Sequence, residues 1–215
     1  MKLLLCKEWK LALHPTSLIF LTLSALLLVP NYPYYVTFFY TTLGVFFICL
    51  TGRENHDLFY TLSLPIRKRD LVKARILFVV CIELLQAVTA IPFALLRARF
   101  PVPDNQVGIE ANLAFFGLSL AMLGLFNLVF FLTYYRNPDK VGSAFVRASI
   151  ALFFYMLFAE LGIHAVPWMK TNLDTRNPAF LPTRIAVFCA GLLLYVLLTW
   201  LTYRRAARTF EALDL

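Results

Sequence analysis

Charge is scarce in this chain: Asp, Glu, Lys and Arg form 15% of the 215 residues, against about a quarter in a soluble domain. Hydrophobic residues reach 60% and the mean hydropathy is +0.73, so the chain calls for a second apolar solvent. Cysteine is equally thin. Cys6, Cys49, Cys81 and Cys189 lie far apart with no CxxC, which argues against a disulfide framework or a cysteine metal site and leaves them as expected small buried hydrophobes. The three histidines, His14, His56 and His164, do not cluster, and there is no HExxH. A GxSxG nucleophile, a set of aspartates at helical spacing and the phosphate-cradling GxxxxGK[ST] are also missing. No catalytic residue, no metal and no ATP site of that type is therefore expected on the chain itself, and an enzyme is not expected. The start MKLLLCKEWK has no sustained apolar run or small-residue cleavage site, so a removable signal peptide is not expected either.

What the chain does have is apolar blocks, at about 16–29, 36–50, 76–96, 111–134, 144–166 and 185–203. This predicts an all-α polytopic membrane protein of six transmembrane helices in a single domain, 1–215. The first block is short and is bounded by Pro15 and Pro30. Residues 1–14 alternate Lys2, Lys7, Glu8 and Lys10 with leucines and Trp9, the pattern of an amphipathic helix lying on a membrane face. The net charge of +8 falls between the apolar blocks, as expected for orienting spans and meeting anionic lipid rather than nucleic acid. With both termini placed inside, only Arg97, Arg99, Lys170, Arg176 and Arg184 of the 20 basic residues fall outside. That asymmetry predicts cytoplasmic termini and a cytoplasmic 52–75 loop.

The 52–75 loop is the richest segment. Glu54, Asn55, His56 and Asp57 suit the start of a helix, Leu58, Phe59, Leu62 and Leu64 give it an apolar face, and Pro65 stops it. The basic run Arg67, Lys68 and Arg69 follows, with Asp70 placed as N-cap of the helix entering the third block. Two readings stand side by side: a short projecting helix with Phe59 and Tyr60 as docking anchors, or an amphipathic loop hugging lipid. Within the blocks, Glu83 and Gln86 share a helix face, Asn127 lies in the fourth block, and Glu160 is one turn from His164. Ionisable groups there must face protein or water. Glu83, Gln86 and Asn127 are accordingly candidates for a substrate path, or for hydrogen bonding among the helices. The Phe-rich stretches suit packing and lipid contact, or a greasy substrate lining.

DLFYTLSLPIRKRDLVKARIL resembles the segment after the second span in small permeases of type-2 ATP-binding cassette (ABC) transporters. Asp57, Leu64, Pro65, Ile66, Arg67 and Lys73 carry the likeness. The start LLLCKEWKLALHP is similar to the interfacial elbow helix of that family, and YRRAARTFEALDL to its last span and tail. The subgroup that exports, or gives immunity to, antimicrobial and toxic peptides is the nearest in pattern. The first span and the turn after it are shorter than the pattern. The resemblance implies a permease subunit of an exporter in the bacterial plasma membrane, paired with a second copy or a paralogue. Glu54, Asp57, Leu58, Phe59, Tyr60 and Leu62 would contact a dimer of separate ATPase subunits, which would bind the ATP and Mg. The cargo would be hydrophobic or amphipathic, peptides included. The other function considered is a non-transporting immunity, sensor or assembly subunit.

Overall fold

Proline decides how the chain begins. A residue before proline is held out of the helical region, and proline itself suits the first turn of a helix. His14 is accordingly extended, its ring Nδ1 accepts a hydrogen bond from the Thr16 amide (3.3 Å), and Pro15 opens a new helix. The computed structural model describes residues 1–100, 105–175 and 177–213. Pro101, Pro103, Asp104 and Arg176 of the expected connecting loops, and Asp214–Leu215 of the tail, lie outside the described residues. Before the bend, α1 (Lys2–Lys7) widens into a π turn over Glu8–Ala12. After it come α2 (Pro15–Thr22) and a 3-10 stretch, Leu23–Leu28. The two arms meet at 80°.

The expected first span is therefore a helix that tightens halfway. At about 1.5 Å per α residue and 2.0 Å per 3-10 residue it reaches about 24 Å, so the tighter winding recovers some of the length that its few residues lack. It is held against α3 (Tyr35–Glu54) through Ser17, whose hydroxyl donates to the Gly44 carbonyl (3.3 Å).

The remaining helices are α4 (Asp57–Leu62), α5 (Lys68–Arg99), α6 (Leu113–Tyr134), α7 (Val141–Ala165), α8 (Pro167–Leu173) and α9 (Leu181–Glu211), the last preceded by a 3-10 turn at Pro178–Phe180. Every regular element among the described residues is helical. Five of them, α3, α5, α6, α7 and α9, are long and apolar enough to cross a membrane, and six spans result if the bent pair counts as one. The chain is thus all-α and polytopic. α5 starts at Lys68, eight residues before the apolar block, because nothing in RKRDLVKAR breaks a helix once Pro65 is passed. Asp70 lies in its first turn and makes no capping bond. α8 occupies a stretch read from the sequence as loop; Pro167 provides its first turn.

α6 is the axis of the bundle, with Phe115, Phe126, Phe130 and Phe131 fully buried. α7 is largely peripheral, and its Phe153, Phe154 and Phe158 face outward. The Phe-rich stretches thus divide into packing and outer surface. α6 meets α9 at glycines: a Cβ on Gly191 would lie 2.0 Å from the Gly117 carbonyl oxygen, and one on Gly124 would lie 3.0 Å from the Tyr195 Cα. Small residues give such close helix approach in membranes, where the driving force is packing. Replacing Gly191 with Ala should cost about 3 kcal/mol or more, read as a lower thermal midpoint of the detergent-solubilised protein. Gly142→Ala, with nothing within 4 Å, should leave it unchanged or raise it slightly.

Candidate functional site

The end of the bundle that carries α4 is organised around one buried base. Arg75, in the second turn of α5, is 2% exposed. Its Nε lies 2.7 Å from Glu8 Oε2 and its Nη2 lies 2.6 Å from Asp57 Oδ2. Lys7 closes the ring, pairing with Asp57 Oδ1 and lying 3.6 Å from Glu8 Oε1. The Lys7 ammonium also donates to Thr61 Oγ1 (2.8 Å), which donates to the Asp57 carbonyl (2.6 Å). Two bases and two acids cancel, which is what allows four charged groups to leave water together. The π turn at Glu8–Ala12 belongs to this geometry: Glu8 is 2% exposed and turned inward, while Trp9 makes an edge contact with Phe78 (centroids 5.1 Å). Burial pushes the Asp57 carboxyl up, but the Arg75 charge and the Lys7 bond and charge outweigh it, so its pKa lies below the usual carboxylate value.

α4 consequently has two faces. α3 runs through Glu54, Asn55 ends it, and His56 takes a left-handed turn (φ 51°), so α4 begins at Asp57 rather than at Glu54. Of the residues expected at this docking segment, Asp57 turns inward to the ion cluster, and Leu58 and Leu62 pack on the core. Phe59 (70% exposed) and Tyr60 (65%) point outward, and the Glu54 side chain is also open, beside Arg53 (3.7 Å). The sequence identified α4 but missed its inner partners. Lys7 and Glu8 were read as surface charges of the amphipathic helix, and Arg75 as an orienting charge. The available signal was position: Arg75 directly abuts an apolar block, where an unpaired base is costly.

The α9 tail docks at the same end. Arg69 bonds Glu211 (3.1 Å), Lys68 donates to the Leu213 carbonyl, and Phe210 packs edge-on against Tyr135. The basic residues that open α5 thus hold the end of α9 and Leu213 as well as carrying charge.

Glu83, Gln86 and Asn127 are fully buried inside the helix packing. Asn127 Nδ2 (3.0 Å) and the Tyr195 hydroxyl (2.7 Å) donate to Glu83 Oε2, joining α5, α6 and α9. Gln86 Nε2 donates to Ser24 Oγ (2.9 Å), tying α5 to the 3-10 stretch. These bonds join helices, while Glu83 Oε1, Gln86 Oε1 and Asn127 Oδ1 are buried without a hydrogen-bond partner. Glu160 and His164 share a face at the far end of α7, 3.8 Å apart.

That far end has its own clasp. Arg97 Nε and Nη2 donate to Glu110 Oε2 (3.1 Å) and Oε1 (3.2 Å), and the guanidinium sits 5.1 Å from the Tyr34 ring centre. Glu110 Oε1 accepts the Asn105 amide (2.6 Å), and the Glu110 amide donates to Asp174 (2.9 Å). Asn112 caps α6 through the Ala114 and Phe115 amides and donates to the Leu173 carbonyl.

Arg75→Ala would leave Glu8 and Asp57 buried without their base, a loss of about 3–5 kcal/mol. The expected readout is a lower thermal midpoint together with faster amide exchange over residues 2–12. Arg75→Lys should rescue only part, because a single ammonium lacks the planar fork that reaches both acids. Glu83→Gln keeps an acceptor oxygen and should leave the midpoint nearly unchanged. Glu83→Leu strands the Asn127 and Tyr195 donors and should cost about 1–3 kcal/mol for each.

Residues 3–211, nearly the whole chain, match the family model described as ABC-2 family transporter protein. No match is found among curated proteins or among solved structures.

Proposed function

Since the chain belongs to the ABC-2 transporter family, whose members are membrane-spanning permease subunits of ABC transporters, we propose that α4 is the seat of a separate ATPase subunit. The subunit is an exporter's: ATP and Mg bind on the ATPase dimer, and this chain converts its closure into movement of the helices. The observation that carries the reading is the two-faced α4. Its outward Phe59 and Tyr60 are aromatic anchors of the kind that dominate interfaces, with Glu54 beside them. Its inward Asp57 is fastened to Arg75 of α5 and to Lys7, next to Glu8 of the elbow.

A push on the outer face is therefore passed to two elements at once. α5 is one continuous helix from Lys68 to Arg99, about 48 Å long, and its other end is clasped by Glu110. A displacement at Arg75 is thus led along α5 toward the far side of the bundle, past Pro92, which removes one rung of the helix's hydrogen-bond ladder. Leu58 and Leu62 keep α4 seated while it moves. The asymmetry of basic residues supports an α4 end facing the cytoplasm, where ATP is available. The broad apolar flanks of α5, α7 and α9 support pairing with a second permease, a copy or a paralogue, and a hydrophobic or amphipathic cargo such as a peptide.

The test is co-purification of the tagged chain with an ATPase subunit that carries the phosphate-binding loop, followed by reconstitution in vesicles. Phe59→Ala with Tyr60→Ala should lower ATPase retention by about tenfold or more. Asp57→Asn should retain the ATPase but weaken the dependence of transport on ATP hydrolysis. Full retention by the double variant would remove α4 as the docking site.

A further inference from the structure

Away from α4, an apolar groove of about 630 Å³ opens between α5, α6 and α9, within the range of small-molecule sites, roughly 300–1,000 Å³. Its long walls are Leu84, Val88 and Ile91 of α5 and Leu192 of α9, all open at the bundle's surface. The groove thus faces sideways, towards lipid. At its head lies Arg184, 7% exposed.

The bonds that Arg184 makes among the described residues go to backbone carbonyls. Its Nη1 donates to the Thr175 carbonyl (3.0 Å) and its Nη2 to the Asn177 carbonyl, while its Nε is buried with no hydrogen-bond partner. No carboxylate pairs with it among the described residues, whereas its neighbour Arg97 is held by Glu110. Arg184 also sits in the first turn of α9, where the helix dipole is already positive. The closed Arg97–Glu110 pair lines the same end of the groove, so Arg184 is the buried guanidinium there with no acid of its own among the described residues, and it favours a ligand that brings a counter-charge.

We propose that this groove is a binding site for one phospholipid of the leaflet opposite α4, with its phosphate on Arg184 and an acyl chain along Leu84, Val88 and Leu192. One anionic head joined to an apolar tail matches one unpaired donor at the end of an apolar channel. The sideways opening admits such a molecule directly from the bilayer. The site is independent of the ATPase seat and stands or falls separately from it.

The experiment uses the full chain, purified in dodecyl maltoside, stripped of lipid and titrated with dioleoyl phosphatidylglycerol under native mass spectrometry. The wild type should bind one lipid that resists removal. Arg184→Gln should weaken that binding by about tenfold or more, the value of a charge-assisted bond to phosphate. Val88→Trp fills the groove from an exposed position while leaving Arg184 in place, and should weaken binding similarly. It decides the matter if Arg184→Gln does not fold. Lys170→Gln, which removes an exposed base elsewhere, should bind as the wild type does. Wild-type lipid binding by Val88→Trp, or an equal loss in Lys170→Gln, would overturn the proposal. So would displacement by excess inorganic phosphate alone, or occupation by an anionic peptide with no lipid bound.

Discussion

Arg75 is the residue on which the α4 end of this protein depends. A guanidinium removed from water is costly without counter-charges, and here they come from segments that are remote in sequence. Glu8 comes from the elbow, Asp57 from α4, and Lys7 balances the second acid. Tyr134 and Tyr135, at the end of α6, are buried within its electrostatic reach. Elbow, α4 and α5 therefore cannot settle independently. Displacing any one of them would leave a buried charge without its partner.

The middle of the bundle follows a different rule. Between α6 and α9 there is little polar chemistry and almost no space, because glycines let the two backbones touch. Hydrophobic burial gives helices little reason to associate within lipid, so contact area and a few buried hydrogen bonds decide their arrangement. Glu83 supplies the main bond network there, accepting from Asn127 and Tyr195 on the two glycine-bearing helices. The opposite end returns to ionic control through Arg97 and Glu110, which also fix the 105–112 connection and α8. Two ionic clasps with a tightly packed waist give α5 firm attachments at both ends. That is the mechanical condition for carrying displacement across the bundle.

The distribution of aromatic residues belongs to the same division. Phe115, Phe126, Phe130 and Phe131 fill the space around α6, while Phe153, Phe154 and Phe158 of α7 are left to an apolar environment. Their sequence neighbourhoods are alike. The place of each helix, α6 at the centre and α7 at the edge, separates an interior ring from an exterior one, and the packing of the helices sets that place.

The sequence by itself determined the class and the outline. Apolar blocks long enough for a bilayer require helices, since a backbone in hydrocarbon must satisfy its own hydrogen bonds. Pro15 and Pro65 marked a break and a stop through local sterics alone. The motif order through Asp57, Leu64, Pro65 and Lys73 pointed to the family that residues 3–211 match. Tertiary structure decided the rest: that Asp57 faces inward while Phe59 and Tyr60 face out, that Glu83 and Gln86 bond between helices, and that Arg184 lies buried with no acid paired to it among the described residues. These facts depend on which helices become neighbours, through contacts between residues up to 112 positions apart. No local pattern of polarity or spacing specifies such a meeting.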